Sequence, residues 1–458
     1  MFSCLCYNDV VVEAVKPRLD PKNIKQAALD YHQFNKPGKF DIVPNKAMAT
    51  QQDLSLAYSP GVAEPCLEIA RDPELAYKYT NKGNMVACIS NGTAVLGLGN
   101  IGALAGKPVM EGKSVLFKKF AGVNCVDLCV DTQDKEEFVN CVKLLGPSFG
   151  GINLEDIKGP DCFYVEEKLK SLMDIPVFHD DQHGTAIVCL AGLINALKIT
   201  GKSIESVKVV CNGAGAAGIA CMKLILAYGA KQENMFVCDS KGVIFKGRTE
   251  GMNEFKEGFA TSAVSEKTSL ADICKGADVL IGVSGPKTFT EEVVMNLGKD
   301  PIIFAMANPE PEIRPEVAKR VRPDCIMATG RSDYPNQINN VMCFPFLFRA
   351  TLDTRAKQIN EAMKMAAAQS LAELARKPVP DVVRKAIPGR EFEFGRNYII
   401  PTPFDPRLIS ELPTKIAQAA MDSGCATHII EDMEAYQRGL VLRMGGEQFE
   451  SKEELAKL

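Results

Sequence analysis

The sequence predicts an α/β protein made of two successive α/β units followed by a largely helical C-terminal segment. Between residues 85 and 200, short apolar runs alternate with longer amphipathic stretches, as in a layered α/β domain. Between residues 206 and 343, five apolar runs of strand length recur between turn residues. From residue 344 on, helix-forming residues dominate, and the stretch 353–375 has few helix breakers.

Length and composition restrict the classes of protein to be considered. The 458 residues exceed one ordinary domain, and 46% hydrophobic with 24% charged residues is typical of a globular chain. The formal net charge of −4 argues against a nucleic-acid binder. None of the 16 cysteines forms a C-x-x-C pair, so we expect reduced thiols in a cytoplasmic protein. From the sequence patterns we also expect no membrane helix, no signal peptide and no transit peptide.

Strands are expected where short apolar runs end in turn residues. In the first unit they are predicted at residues 85–90, 114–117, 124–130, 149–154 and 176–179, with helices at 134–145 and 185–199. In the second unit they are predicted at residues 207–211, 235–238, 279–283, 302–306 and 325–328.

The motif G-x-G-x-x-G occurs at residues 97–102 and again at 213–218. The second copy follows a predicted strand and opens a predicted helix, and the next strand ends at Asp239, at the spacing of a ribose-binding acid. This context predicts a Rossmann-type doubly wound parallel sheet that binds a dinucleotide. The expected contacts are Gly213, Ala214, Gly215, Ala216, Ala217, Gly218 and Asp239. The first copy is followed at once by Gly106 and Pro108, so we expect a loop and no helix there.

The choice between NAD and NADP depends on the residues around Asp239. An acid alone at this position favours a free ribose 2′-hydroxyl and therefore NAD. Ser240, Lys241 and Lys256 lie close in sequence, with Arg248 between them, and could bind a 2′-phosphate. The alternative is that these residues are solvated surface charges.

Two pairs of acids follow predicted strands of the first unit, Glu155-Asp156 and Asp180-Asp181. Ligands bind beyond the carboxyl ends of strands in open α/β sheets, and carboxylates are the ligands that Mg²⁺ or Mn²⁺ prefers. Acids before a helix also serve as ordinary caps, but two such pairs favour a metal site. His179 and His183 flank the second pair, and we expect them to pack beside an oxygen-ligand site rather than to bind zinc.

Four further residues are candidates that would not stand alone. Lys113 precedes an apolar run and could act as a base if burial lowers its pKa, or could be an ordinary solvated lysine. Tyr58 lies in a tight turn and could donate a proton or simply pack. Asn308 and Asn340 end predicted loops, where asparagine binds carboxylate or hydroxyl oxygens or serves as a turn residue.

Together these motifs resemble the malic enzymes, most closely the shorter, bacterial-type NADP-dependent branch. The resemblance covers about residues 25–440 and rests on five segments: AYSPGVA at 57–63, LGLGNIG at 96–102, FHDDQHGTA at 178–186, ANP at 307–309 and GRSDYPNQINN at 330–340. It implies an N-terminal malic domain at residues 1–184, a Rossmann-type domain at 185–345 and a C-terminal helical segment at 346–458.

The resemblance also implies roles for individual residues. Tyr58 matches the general acid, Lys113 the general base, and Asp180 the residue that supports the base. Glu155, Asp156 and Asp181 match the metal ligands. Asn308 and Asn340 match malate-binding positions, Asn308 lies on the cofactor side as well, and Ser240, Lys241 and Lys256 resemble the NADP-preferring variants.

The implied reaction is the Mg²⁺- or Mn²⁺-dependent oxidative decarboxylation of (S)-malate to pyruvate and CO₂ with reduction of NADP, and oxaloacetate could be decarboxylated as well. A malolactic-type enzyme and an NAD-preferring malic enzyme are the alternatives. The family implies a homodimer without nucleic-acid or membrane partners. One position departs from the larger malic enzymes: Ala94 stands where they carry an arginine for a substrate carboxylate.

Overall fold

The computed structural model describes residues 24–33, 36–387 and 389–444, and the chain forms two compact units that divide after Gly61. Residues 1–20, for which the sequence suggested no role, lie outside the described residues, as does the end of the predicted C-terminal segment, residues 445–458. The described part of the N-terminal unit contains helices α1 (Ile24–Gln33) and α2 (Gln51–Ala57). Helix α2 begins in a capping box, in which Thr50 and Asp53 each accept a backbone N–H of the other.

The large unit contains sixteen α-helices among its described residues. They are α3 (Ala63–Arg71), α4 (Ala76–Tyr79), α5 (Ala103–Ala121), α6 (Lys135–Leu145), α7 (Asp161–Leu172), α8 (Asp180–Thr200), α9 (Ala216–Ala227), α10 (Glu254–Glu257), α11 (Leu270–Ile273), α12 (Glu291–Met295), α13 (Pro315–Val321), α14 (Phe344–Asp353), α15 (Glu361–Arg376), α16 (Asp381–Ala386), α17 (Leu408–Asp422) and α18 (Met433–Arg443).

The first sheet has four parallel strands in the order β2-β1-β3-β4. The strands are β1 (Met85–Ser90), β2 (Asn124–Cys129), β3 (Gly151–Leu154) and β4 (Val177–His179). Strand β3 is buried along its whole length, as expected for a parallel strand covered on both faces. Because the strands are parallel, their carboxyl ends meet at one edge, and the residues after β3 and β4 come together there.

The second sheet has six strands in the order β10-β9-β8-β5-β6-β7. They are β5 (Val209–Asn212), β6 (Met235–Asp239), β7 (Gly242–Val243), β8 (Val279–Gly282), β9 (Ile302–Ala305) and β10 (Ile326–Thr329). All of them are parallel except β7, a short antiparallel edge strand. The predicted α/β fold is confirmed, and the strand order that reverses around β5 is that of a doubly wound sheet.

One predicted strand is wrong. Residues 114–117 lie inside α5, which begins directly after the first glycine motif and contains Pro108. We had expected no helix here, because proline removes one helical hydrogen bond and crowds the preceding turn. Packing offsets this cost, since Met110, Phe117 and Ala121 on the same helix are fully buried.

One helix prediction needs correction, and one helical stretch is interrupted. The stretch 353–375, which has few helix breakers, is divided between α14 and α15 by a turn in which Arg355 has a φ of 46° and Asn360 caps the new helix. Helix α8 begins at Asp180 rather than Thr185, so the second acid pair forms its first turn.

Helix α8 is the central helix of the large unit and packs against α9 and α15. In the described part of the chain it alone is long and apolar enough to cross a membrane by length and composition, but 67% of its most apolar window is buried inside the fold, as in a core helix. Nearby, the ring of Phe117 on α5 lies 4.7 Å from that of Phe344 and 5.2 Å from that of Phe348. These aromatic contacts join α5 to α14.

Candidate active site and dinucleotide cleft

Three carboxylates meet at the carboxyl edge of the first sheet. Glu155 and Asp156 follow β3, and Asp181 lies in the first turn of α8, directly after β4. One carboxylate oxygen from each lies within 4.8 Å of the others. Glu155 and Asp156 are only 4% and 3% exposed, so their charges are largely withheld from water. The sequence predicted these three residues as metal ligands, and the fold brings them together.

The backbone at Asp156 is bent to serve this cluster. Its φ of 54° lies in the left-handed region, which non-glycine residues seldom adopt outside sites that need it. The Asp156 N–H donates to Asp181 Oδ2 at 2.7 Å, while the N–H of Leu96, the residue before the first glycine motif, donates to Asp156 Oδ1 at 3.5 Å. The remaining oxygen, Asp156 Oδ2, is buried and accepts no hydrogen bond from any residue that the structure describes. An unsatisfied buried carboxylate oxygen of this kind fits a cation ligand.

Lys113 reaches the cluster from α5 and is 7% exposed. Its ammonium donates to Glu155 Oε1 at 2.8 Å and to the Asp180 carboxylate, and lies 4.2 Å from the centre of the Phe344 ring. Lys113 and Asp180, predicted from the family pattern as base and supporting acid, are therefore in direct contact. The solvated-lysine alternative is excluded by this burial.

The structure reverses the direction we had expected for the pKa of Lys113. Burial alone lowers this pKa, but the negative charges of Asp180 and Glu155 outweigh burial and raise it above its usual value. Burial and the neighbouring acids raise the pKa of Glu155 to about 7, that of Asp156 to about 8 and that of Asp181 to about 6. The cluster thus holds more acidic groups than Lys113 can neutralise, and a divalent cation fits this excess of negative charge.

Asn340 and Gly184 complete the surroundings of Asp180. Burial raises the pKa of Asp180 to about 7. A hydrogen bond with the side chain of Asn340, which lies beside Asp180, acts in the opposite direction and lowers this pKa. A Cβ atom at Gly184, one turn along α8, would lie 1.8 Å from Asp180 Oδ1. Any side chain at position 184 would therefore displace the Asp180 carboxylate.

Asn308 lies at the carboxyl end of β9, on an exposed turn of the second sheet. Its side-chain amide donates to Met306 O at 3.5 Å. Tyr58 belongs to the N-terminal unit, where it ends α2 with its side chain 72% exposed. The two histidines pack as expected: His179 is fully buried, and His183 Nε2 lies 2.9 Å from Glu166 Oε2.

The second glycine motif forms the expected turn between β5 and α9. Gly213 has a φ of 128°, and a Cβ at Gly218 would lie 1.8 Å from Gly213 O, so the turn can close only without side chains. A cleft of about 890 Å³ opens beside it, lined by Gly213, Ala214 and Gly215, by Asp239 and Ser240, and by Lys256. A backbone turn at a helix N-terminus beside such a cleft is suited to bind a pyrophosphate.

The Asp239 carboxylate at the end of β6 is already paired with two cations. Arg248 Nη2 donates to both of its oxygens at 2.7 and 2.8 Å, and Lys256 Nζ donates to Oδ2 at 2.8 Å. Burial raises the pKa of Asp239, but the hydrogen bonds from Lys256 and Arg248 outweigh burial and lower it. Lys241 pairs instead with Glu250 at 2.6 Å in an exposed contact. The acid expected to contact ribose is therefore engaged by Arg248 and Lys256.

Sequence reasoning missed two supporting residues of the acid cluster. Asn153 on β3 is fully buried and donates to Glu155 Oε2 at 2.8 Å. Its signal was an amide inside an otherwise apolar strand. Glu166 on α7 is also buried, at 3% exposure, and contacts the start of α8. It gave no signal, because charged residues are common on helices.

Comparison with known proteins agrees with this architecture. Residues 37–170 match the family described as "Malic enzyme, N-terminal domain", and residues 182–384 match "Malic enzyme, NAD binding domain". The NADP-dependent malic enzyme of Rhizobium meliloti is 60% identical over 418 residues, which are 91% of this chain and 55% of that protein. The NADP-dependent malic enzyme of Halomonas elongata is 58% identical over 88% of this chain and 94% of its own length.

A solved structure of malic enzyme from Pyrococcus horikoshii is 40% identical, with a TM-score of 0.84 over 95% of this chain and 99% of its own. The chain spans only about half the length of several of the relatives that it matches, including those of Rhizobium meliloti and Escherichia coli. Even so, both family domains match in order along the chain, and relatives of similar length match nearly end to end. The chain therefore belongs to the malic enzyme family.

Proposed function

We propose that this protein catalyses the metal-dependent oxidative decarboxylation of (S)-malate to pyruvate and CO₂, with reduction of NADP. The observation that carries the proposal is the direct contact of buried Lys113 with Glu155 and Asp180 at the edge of a cluster of carboxylates. Such a site offers a base and a cation-binding surface to the same small molecule. The names of the relatives support the same reaction.

Glu155, Asp156 and Asp181 would hold Mg²⁺ or Mn²⁺. All three offer oxygen ligands, which these hard cations prefer, and Asp156 Oδ2 is buried without a hydrogen-bond donor among the described residues. When bound, the cation would supply positive charge at the C2 oxygen of the substrate, and NADP would supply the hydride acceptor.

Lys113 would act as the general base that accepts the proton of the C2 hydroxyl. For this it must be neutral, whereas the surrounding acids raise its pKa. The pKa of Lys113 would fall if a bound cation balanced the charges of Glu155 and Asp181, because their attraction for the ammonium would then be reduced. Asp180 remains in contact with Lys113 and holds its amino group in place.

Asn340, Asn308 and Tyr58 take their roles from the family motifs. Asn340, beside Asp180, and Asn308, at the end of β9, would hold malate oxygens. Tyr58 would return a proton to C3 of the product. Ala94 offers no cation, and its N–H donates to Asp156 O at 3.0 Å, so the second malate carboxylate would need another partner.

The cofactor would be NADP rather than NAD. Asp239 is paired with Arg248 and Lys256, so its carboxylate is less free to accept a hydrogen bond from a ribose 2′-hydroxyl. Lys256 lines the dinucleotide cleft and could face a 2′-phosphate. Ser240 lines the same cleft, while Lys241 would have to leave its exposed pair with Glu250 to take part.

One assay tests the proposal: malate with NADP or NAD, each with and without Mn²⁺, followed by NADPH absorbance and by pyruvate. We expect equal amounts of NADPH and pyruvate, formed only with Mn²⁺ and faster with NADP. Lactate without net NADPH would favour the malolactic alternative, and faster reaction with NAD would favour the NAD-preferring one. Pyruvate formed from oxaloacetate without cofactor would reveal the additional decarboxylase activity.

We further propose that the protein is a cytoplasmic homodimer.

A further inference from the structure

The start of α8 is held by a carboxylate from another helix. Asp180 and Asp181 are its first two residues, and the residue before them, His179, offers no side-chain hydrogen bond to the N–H groups of the first turn, which have no partner within the helix. Helices normally satisfy such N–H groups with a capping side chain. Here Glu166 of α7 lies at this end of the helix, 3% exposed.

Glu166 makes contacts on both sides of the two acids. Its Oε1 accepts a hydrogen bond from the backbone N–H of His179 at 3.2 Å. Its Oε2 accepts a hydrogen bond from Gln182 Nε2 at 3.4 Å and lies 2.9 Å from His183 Nε2. The anchored residues thus flank Asp180 and Asp181 in sequence. The charge of Glu166 is balanced by Lys170 at 2.7 Å.

A second contact fixes the tautomer of His183. The ammonium of Lys364 lies 3.3 Å from His183 Nδ1, and an ammonium can only donate. Nδ1 therefore accepts, so a neutral imidazole carries its proton on Nε2 and donates it to Glu166. Hydrogen bonds are therefore donated in one direction, from Lys364 to His183 and from His183 to Glu166, and this favours one position of the Glu166 carboxylate.

We propose that Glu166 is a positioning residue that sets the geometry of the metal and base site by fixing the first turn of α8. Asp181 is a proposed metal ligand and Asp180 contacts Lys113, so a shift of this turn moves both. Groups that orient metal ligands commonly change metal affinity by about 10–100-fold when they are lost. The inference rests on the proposed function, because it concerns the same metal site.

The test compares Glu166→Gln with Glu167→Gln, a matched control at an exposed neighbouring position of α7. Mn²⁺ affinity of the metal-free full chain is measured by electron paramagnetic resonance, and NADPH affinity by the fluorescence of NADPH, which no tryptophan obscures because the chain has none. We expect Glu166→Gln to raise the Kd for Mn²⁺ by about 10-fold and to leave the Kd for NADPH within about two-fold. Glu167→Gln should leave both within the same range.

An unchanged Kd for Mn²⁺ in Glu166→Gln would overturn the proposal. So would an equal loss of Mn²⁺ and NADPH affinity, since that would mean general damage to the fold. If Glu166→Gln does not fold, His183→Leu tests the same network, because it keeps the Glu166–Lys170 pair. This variant should still raise the Kd for Mn²⁺ by about 3-fold, and an unchanged Kd would overturn the proposal.

The wild type is assayed for malate oxidation in parallel. If the wild type shows normal Mn²⁺-dependent activity and the variant is unaffected, only the positioning role of Glu166 is rejected. If the wild type does not bind Mn²⁺, the positioning role and the proposed function are both rejected.

Discussion

Removing one carboxylate of the acid cluster should stabilise the metal-free protein at high pH. Asp156→Asn is the chosen change, because the pKa of Asp156 is raised from 3.8 to about 8 by burial and by the charges of Asp181 and Glu155. A carboxyl group whose pKa is higher in the folded state favours folding in its protonated form. This advantage is therefore lost as the pH rises from about 4 to about 8, and the asparagine variant does not share the loss.

The size of the effect follows from the same shift. Each pKa unit corresponds to about 1.4 kcal/mol, and most of the Asp156 shift is expressed between pH 5 and pH 8. The wild type should thus lose at most about 4 kcal/mol relative to Asp156→Asn over these three pH units, because repulsion within the cluster is shared by three groups.

The assay is urea unfolding followed by circular dichroism, in EDTA, at pH 5 and pH 8. Asp174→Asn, which changes an exposed acid, is the control and should follow the wild type. Added Mn²⁺ should stabilise the wild type more at pH 8 than at pH 5, because ligands bind in their deprotonated form, and should stabilise Asp156→Asn little. Parallel pH dependence of the wild type and Asp156→Asn in EDTA would refute the reasoning.

Three further substitutions test individual roles. Lys113→Met should lower kcat for malate oxidation by about 10²–10⁴-fold, and near-normal turnover would remove Lys113 as the base. Tyr58→Phe should slow protonation of C3 more than hydride transfer, as measured by pyruvate enolate exchange against NADPH formation; equal losses would count against a role limited to C3. Lys256→Met should raise KM for NADP by about 10-fold or more with a smaller effect on NAD, and an equal effect on both cofactors would rule out contact with a 2′-phosphate.

Much of the fold was predictable because strands and their carboxyl ends leave strong local signals. The strand before the second glycine motif, the helix after it and the acid at the end of β6 lie where their spacing predicted. The acids after β3 and β4 were found in the same way, since both follow buried apolar runs.

The misses arose where tertiary packing overrides local propensity. Pro108 and the apolar run after Lys113 predicted a loop and a strand, but burial of Phe117 against Phe344 holds this segment as helix α5. The raised pKa of Lys113 was missed for a related reason: its sign depends on Glu155 and Asp180, 42 and 67 residues away in sequence. Distances of this kind leave no local pattern.

The most direct test of the proposed site is a Mn²⁺ titration of the metal-free wild type and of Asp181→Asn. If Glu155, Asp156 and Asp181 share one ion, the wild type should bind one Mn²⁺ per chain at this site, and Asp181→Asn should raise the Kd by about 10-fold or more. An Asp181→Asn protein that binds Mn²⁺ with the affinity of the wild type would contradict the account.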